Sequence, residues 1–373
     1  MTQHNHRQCF HEIMAGKPAS WIPNYELGCW GQTVQRWLEE GAPSDKIYWN
    51  FWQGEPFFKV DRHDYAHLHA GMMPEFEYQV LAEDADYLTA RHSNGIVTKA
   101  LKAGTVGGMR MSMDQYLRHP VTDHASWLDV KRRYDPTVAV RYPMMWDEMA
   151  QNWQNRDYPV CLIGNGVYGL YSQLRSWVGT EEISYMFYDD PALVEEMIEF
   201  HTEFLLQLVP RALQTVQFDY FNFFEDCAGK GGPLYGPEIF ERFFRKPYTR
   251  IIDALRQGGV KSIWLDCDGD PLPLVPLWMD VGVNCLWPLE QASGMDPRML
   301  RKRFGPELIL AGGIDKMAIA KGRKAIDAEL EAKIPPLLAQ GGYIPFLDHA
   351  IPPDISYADF MYYLERKLEL MGR

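Results

Sequence analysis

At 373 residues, 46% of them hydrophobic, the chain can bury a large core as one enlarged domain, and no apolar run approaches the ~20 residues needed to cross a bilayer. A net charge of −13 excludes a nucleic-acid binder that depends on a basic surface. Six scattered cysteines without a CxxC pair exclude a disulfide framework and a sequence-level zinc finger.

Residues 1–8 are polar and lack the apolar stretch of a signal peptide, so a cytoplasmic protein is expected. Residues 9–15 read as a short helix leading into a strand at 21–25. His63, His67 and His69 fall in a polar stretch that reads as solvated loop, with HxxxHxH only a weak metal pattern. From 75 to 113 hydrophobic and polar residues alternate, with turns at Asn94-Gly95 and Gly107-Gly108, the pattern of antiparallel hairpins.

From about Pro159 onward short apolar runs alternate with segments of helical period, the signature of repeated βα units. Residues 160–163 read as a strand ending at Gly164-Asn165, and residues 219–224 as one ending at Glu225-Asp226. Residues 260–265 end at Asp266-Cys267-Asp268 and 283–287 at Pro288-Leu289-Glu290. The last two runs, 308–311 and 343–347, end at Gly312-Gly313-Ile314-Asp315 and at Asp348-His349. Between them, Asp190-Pro191 opens a helix with an apolar stripe from Leu193 to Leu208, and Pro237 opens another that stops at Gly258-Gly259. The stripes are core. The expected architecture is a single α/β domain over 1–373, a (β/α)₈ TIM-type barrel, with early strands and antiparallel hairpin insertions in 1–158 and regular βα units in 159–373.

In such a barrel the working residues sit where strands run into the βα loops, so the strand ends are the candidates. Asp266 and Asp268, two apart on an extended strand end, point to one side and face one ion or substrate, with His349 arriving from the last strand. The structural alternative is that they cap loops and satisfy turns. Glu225 and Asp226 supply a general acid or base, or an ion pair with Lys230 or Arg175. Asn165, Arg175, Lys230, Glu290 and Asp315 are the candidate substrate contacts. Cys267, facing away between the aspartates, reads as packing.

These residues resemble the uroporphyrinogen decarboxylase superfamily, especially its corrinoid-linked methyltransferase branch. The resemblance runs from Phe10-His11-Glu12-Ile13-Met14-Ala15-Gly16-Lys17-Pro18 through Phe224-Glu225-Asp226 and Lys230-Gly231-Gly232-Pro233-Leu234. It continues through Asp266-Cys267-Asp268-Gly269-Asp270, Gly312-Gly313-Ile314-Asp315-Lys316, Gly341-Gly342-Tyr343-Ile344-Pro345 and Asp348-His349-Ala350-Ile351-Pro352-Pro353-Asp354. The decarboxylases of this group hold a tetrapyrrole's carboxylates with arginines near the N-terminus, where this chain has Tyr25-Glu26-Leu27-Gly28-Cys29-Trp30. The methyltransferase branch binds zinc through a His-x-Cys pair and a later cysteine; here Asp266, Asp268 and His349 take those places, with Glu225 as a further ligand. Carboxylate and imidazole ligands make a harder Lewis acid than thiolates, which implies an O- or N-methylated substrate rather than a thiol.

The expected function is therefore metal-assisted transfer of a methyl group between such a substrate and a corrinoid carried by a separate protein, with catalytic Glu225, Asp226, Asp266, Asp268 and His349. The alternatives are a cofactor-free decarboxylase or other carboxy-lyase and, third, a non-catalytic tetrapyrrole- or corrinoid-binding protein. No nucleic-acid or membrane partner is expected, and relatives of this kind imply a homodimer.

Overall fold

The computed structural model describes residues 5–48, 50–103, 105, 106, 109, 110, 114–164 and 166–373. The chain enters its main sheet with β1 (Asp64–Tyr65) and then leaves it for an insertion. There β2 (Gln79–Glu83), β3 (Tyr87–Arg91), β4 (Val97–Leu101) and β7 (Gln115–Arg118) form a four-stranded antiparallel sheet, with a second short pair, β5 (Thr105–Val106) and β6 (Met109–Arg110), beside β4 in sequence. The β3–β4 turn is the expected one: the Asn94 side chain accepts from Ile96 N at 3.1 Å, and Gly95 sits at φ +81°, where a Cβ would strike Phe76 and Pro120. Gly107-Gly108 lies outside the described residues.

The main sheet resumes with β8 (Val160–Cys161), β9 (Tyr220–Phe224) and, after a hairpin of β10 (Ala228–Gly229) and β11 (Gly232–Pro233), β12 (Ser262–Asp266). It ends with β13 (Cys285–Trp287), β14 (Ile309–Ala311) and β15 (Tyr343–Ile344). All neighbours in the order β1-β8-β9-β12-β13-β14-β15 pair in parallel, which gives a curled seven-stranded sheet of the TIM-barrel type. The expected strand at 21–25 is not a regular strand. It belongs to an extended segment lying between the two sheet edges: Asp61 N donates to Asn24 O at 2.8 Å on one side, and Ile351 N donates to Gly28 O at 2.9 Å on the other. Pro23 removes a ladder donor, so pairing there is by isolated bridges.

The two faces of the strands carry different cores. Tyr220, Trp264 and Trp287 point into the barrel, where Trp287 stacks on Trp52 at 4.9 Å, whereas Phe221, Phe223, Ile263, Leu265 and Leu286 meet the surrounding helices. The covering helices include Pro191–Leu208, started by the Asp190 side chain accepting from Leu193 N at 3.2 Å. The helix opened by Pro237 contains a wider turn at Phe240–Phe244, because Pro247 has no N–H to donate to the preceding turn. Among the described residues no helix is long and apolar enough to span a membrane.

Buried charge anchors the lower end and the closing segment. Asp219, just before β9, accepts from Val160 N at 2.8 Å and pairs with Arg156 and Arg7 at 2.6 Å, at the end of the strands where residues serve stability. Glu26 of the closing segment accepts from Tyr363 Oη at 2.6 Å and pairs with Lys367, both charges fully buried. His63 is a correction to the sequence reading: it is buried, not solvated, with Nδ1 2.8 Å from Tyr220 Oη. Replacing Lys367 by Met strands the Glu26 carboxylate in the interior. The expected loss is about 3–5 kcal/mol in urea denaturation, and a loss below about 1 kcal/mol would show that the pair does not hold the closing segment.

Candidate active site

Parallel strands bring their C-terminal ends to one mouth, and the alternation of β12 decides what enters it. Ser262 and Trp264 face the barrel interior, so Asp266 does too, and Cys267 turns outward into the core, its Sγ 3.7 Å from that of Cys227. Asp268 returns to the mouth and meets His349, with Nε2 3.5 Å from its carboxylate. The Trp30 indole lies parallel to the His349 ring at 6.2 Å. Asp226 pairs with Arg175 and receives no help from Lys230, which sits exposed at the tip of the β10–β11 hairpin without an ion pair among the described residues.

Asp266 is the exception in this set. It is 8% exposed, and among the described residues no hydrogen-bond donor or cation meets its carboxyl. Burial first, then the charges of Asp268 and Asp226, push that carboxyl well above the ordinary aspartate range. His349 moves upward as well: the hydrogen bond and charge of Asp268 outweigh partial burial and favour the imidazolium.

Glu225 does not take part in this chemistry, which corrects its expected catalytic and ligand roles. Its Oε1 accepts from Leu170 N at 2.5 Å and Tyr248 Oη at 2.6 Å, and its Oε2 from Tyr171 N at 3.0 Å and Ser172 N at 3.2 Å. Four donors fill the four lone-pair positions of the two oxygens. The helix Tyr171–Val178 lacks a side-chain cap of its own, and Glu225 supplies one from a distant strand. Gly169 permits this approach, since a Cβ there would lie 1.8 Å from Phe224 O. Burial pushes the Glu225 carboxyl up to about 7 against the pull of its four donors.

The remaining candidates are placed by their partners. Glu290 accepts from Gly269 N at 3.0 Å and Ser293 Oγ at 3.1 Å and braces the loop after Asp268. Asp315 caps the turn Lys316–Ile319 through Met317 N at 2.8 Å, and Asp348 is buried against Lys316 Nζ at 3.1 Å and Gln291 N at 2.9 Å. Both satisfy backbone donors at turns. Asn165 lies outside the described residues. Trp30 and Gly169 carry no motif of their own; both become visible only when distant strand ends are superposed on one mouth.

Arg175 and Asp226 also line a cleft of about 720 Å³ between the helix Tyr171–Val178 and the inserted sheet, whose wall includes His92, Tyr116 and His119. The insertion thus forms one side of a pocket of substrate size next to the acids. Among the described residues no three His, Cys, Asp or Glu side chains are arranged to hold a metal ion. Of the expected zinc set, Glu225 has no free lone pair.

The family model for uroporphyrinogen decarboxylase (URO-D) matches residues 135–366, which contain every strand of the main sheet after β1. The chain belongs to the uroporphyrinogen decarboxylase family. A solved methyltransferase from Methanosarcina mazei superposes on this URO-D chain with a TM-score of 0.56, covering 98% of this chain and 97% of that one at 13% identity, a likeness of fold. No curated protein matches the chain.

Two outcomes check the site. Because His349 is held above its ordinary 6.5, its pairing with Asp268 contributes stability that is complete below that pH and is lost as pH rises through the raised value. NMR titration of His349 is expected to give a midpoint above 6.5 that Asp268→Asn moves down; an unchanged midpoint would dissolve the pair. Glu225→Gln replaces two acceptor sites by an N–H₂ facing backbone donors and is expected to cost about 1–3 kcal/mol of stability, read by thermal melting against the wild type.

Proposed function

We propose that this URO-D family member is a methyltransferase that moves a methyl group between a small O- or N-methylated compound and a corrinoid carried by a separate protein. The observation that carries this reading is Asp266 at the barrel mouth, a largely buried residue whose carboxyl has no protein partner among the described residues, flanked by two aspartates whose cations are already assigned. The Methanosarcina mazei methyltransferase with the same fold supports the reaction class.

A corrinoid docked over the mouth supplies the methyl acceptor, or the donor in the reverse direction. The chain's own part is proton management and positioning. As the bond between methyl carbon and heteroatom breaks, the heteroatom takes the proton of Asp266 and leaves neutral instead of as a strong base. The Asp268–His349 pair fixes one side of the reacting group, and the Arg175–Asp226 pair connects it to the cleft that takes the rest of the substrate. Decarboxylation of a polyacid fits less well, because Arg175 is already neutralised by Asp226 and the arginines expected to hold several carboxylates are missing from residues 25–30.

Stopped-flow absorbance of cob(I)alamin mixed with the protein and a panel of methyl ethers and methylamines tests this. Methylation is expected with at least one donor, and Asp266→Asn is expected to slow it about 10²–10⁴-fold, the usual worth of a general acid. Unaltered rates in Asp266→Asn, or release of carbon dioxide from a carboxylated substrate without methyl transfer, would overturn the proposal.

A further inference from the structure

Behind the mouth two sulfurs lie in contact. Cys227 follows Asp226 after β9, and Cys267 sits between Asp266 and Asp268 after β12; their Sγ atoms are 3.7 Å apart and both residues are buried. The loops that carry them are fastened backbone to backbone. Asp270 N donates to Gly229 O at 3.0 Å, and Gly269 lies so close that a Cβ there would come within 2.6 Å of the Ala228 carbonyl. The sulfur contact is thus built into the fold.

Two phenols face the same place. Tyr171 and Tyr235 are buried with their rings 5.0 Å apart; Tyr171 lies within reach of the charge of Cys227, and Tyr235 within reach of both sulfurs. Among the described residues neither hydroxyl has a hydrogen-bond partner, although buried hydroxyls ordinarily find one. A thiol is a weak acceptor, whereas a thiolate or a sulfenate oxygen is a strong one. The orphaned hydroxyls therefore suit a changed sulfur better than the sulfur as it stands.

We propose that Cys227 and Cys267 close to a reversible disulfide in response to a small peroxide, a modification site independent of the methyl-transfer reading. One sulfur, as its thiolate, attacks the peroxide: an S–O bond forms, the O–O bond breaks and, with hydrogen peroxide, one water leaves. The second sulfur then displaces the sulfenic oxygen, so that S–S forms, S–O breaks and a second water leaves. The two thiol protons end in the two waters, both sulfurs are oxidised and the peroxide is reduced. Burial of both sulfurs admits a water-sized oxidant in preference to a bulky disulfide. Closing the bond draws the sulfurs to about 2.05 Å. It pulls the peptide between Asp266 and Asp268 toward the β10–β11 hairpin and so disturbs the pairing of Asp268 with His349.

The test treats the intact folded protein with hydrogen peroxide, blocks the remaining thiols with N-ethylmaleimide and maps the peptides by mass spectrometry. The expected product links the peptides of Cys227 and Cys267 with the loss of two hydrogens, while Cys9, Cys29, Cys161 and Cys285 stay reduced, and dithiothreitol restores both thiols. Cys227→Ala and Cys267→Ala are each expected to abolish the link. Tyr235→Phe, with both thiols intact, is expected to slow its formation about tenfold, the worth of one charge-assisted hydrogen bond. In NMR spectra the His349 ring resonances are expected to move on oxidation and to return on reduction. Thiols that survive peroxide, sulfinic acid at either position without a link, or a link that forms only in urea would overturn the proposal, and a link that leaves His349 unmoved would overturn its effect on the mouth.

Discussion

The site is organised by an electrostatic mismatch: Asp226, Asp266 and Asp268 share one barrel mouth, and among the described residues only Asp226 and Asp268 pair with a cation. Parallel pairing forces the strand ends together, and the two-residue alternation of β12 then fixes which side chains enter the mouth. Because Trp264 must fill the barrel interior, Asp266 has no choice of direction. Burial and the two neighbouring charges raise the carboxyl of the most buried of the three well above the ordinary aspartate range, which favours its protonated form. A group kept protonated by its neighbours is also a group ready to give that proton to a ligand.

Around this mismatch lies a shell whose task is rigidity. Glu225 looks like a catalytic acid in the sequence, yet it accepts three backbone N–H groups at the start of the helix that carries Arg175 and the Tyr248 hydroxyl besides. Glu290 holds the loop after β12, and Asp348 the loop after β13, in the same way. Carboxylates at barrel strand ends therefore divide into those that bind backbone and those that do not, and the second kind is where chemistry belongs. The inserted antiparallel sheet completes the arrangement by walling a cleft beside Arg175 and Asp226.

Much of this was legible in the sequence. The regular βα units after Pro159, the hairpin character of the insertion, the shared side of Asp266 and Asp268 and the outward turn of Cys267 all follow from periodicity and strand alternation, and the structure agrees on each. The division of labour among the acids was not legible, because it depends on contacts between residues about fifty positions apart, such as Glu225 with Leu170 and Tyr171. His63 was misread for a related reason: a polar local stretch hides a ring that packs against Tyr25 and Tyr220 inside the barrel. The strand expected at 21–25 is an extended segment instead, because Pro23 removes a ladder donor that local residue preference does not weigh.

The account turns on the protonation state of Asp266 in the ligand-free protein. Carboxyl carbon-13 NMR, with the Asp266 resonance assigned by its disappearance in Asp266→Asn, measures it directly. A titration midpoint well above the ordinary aspartate value of about 3.9 is the result the structure predicts, and a midpoint at or below that value would contradict it.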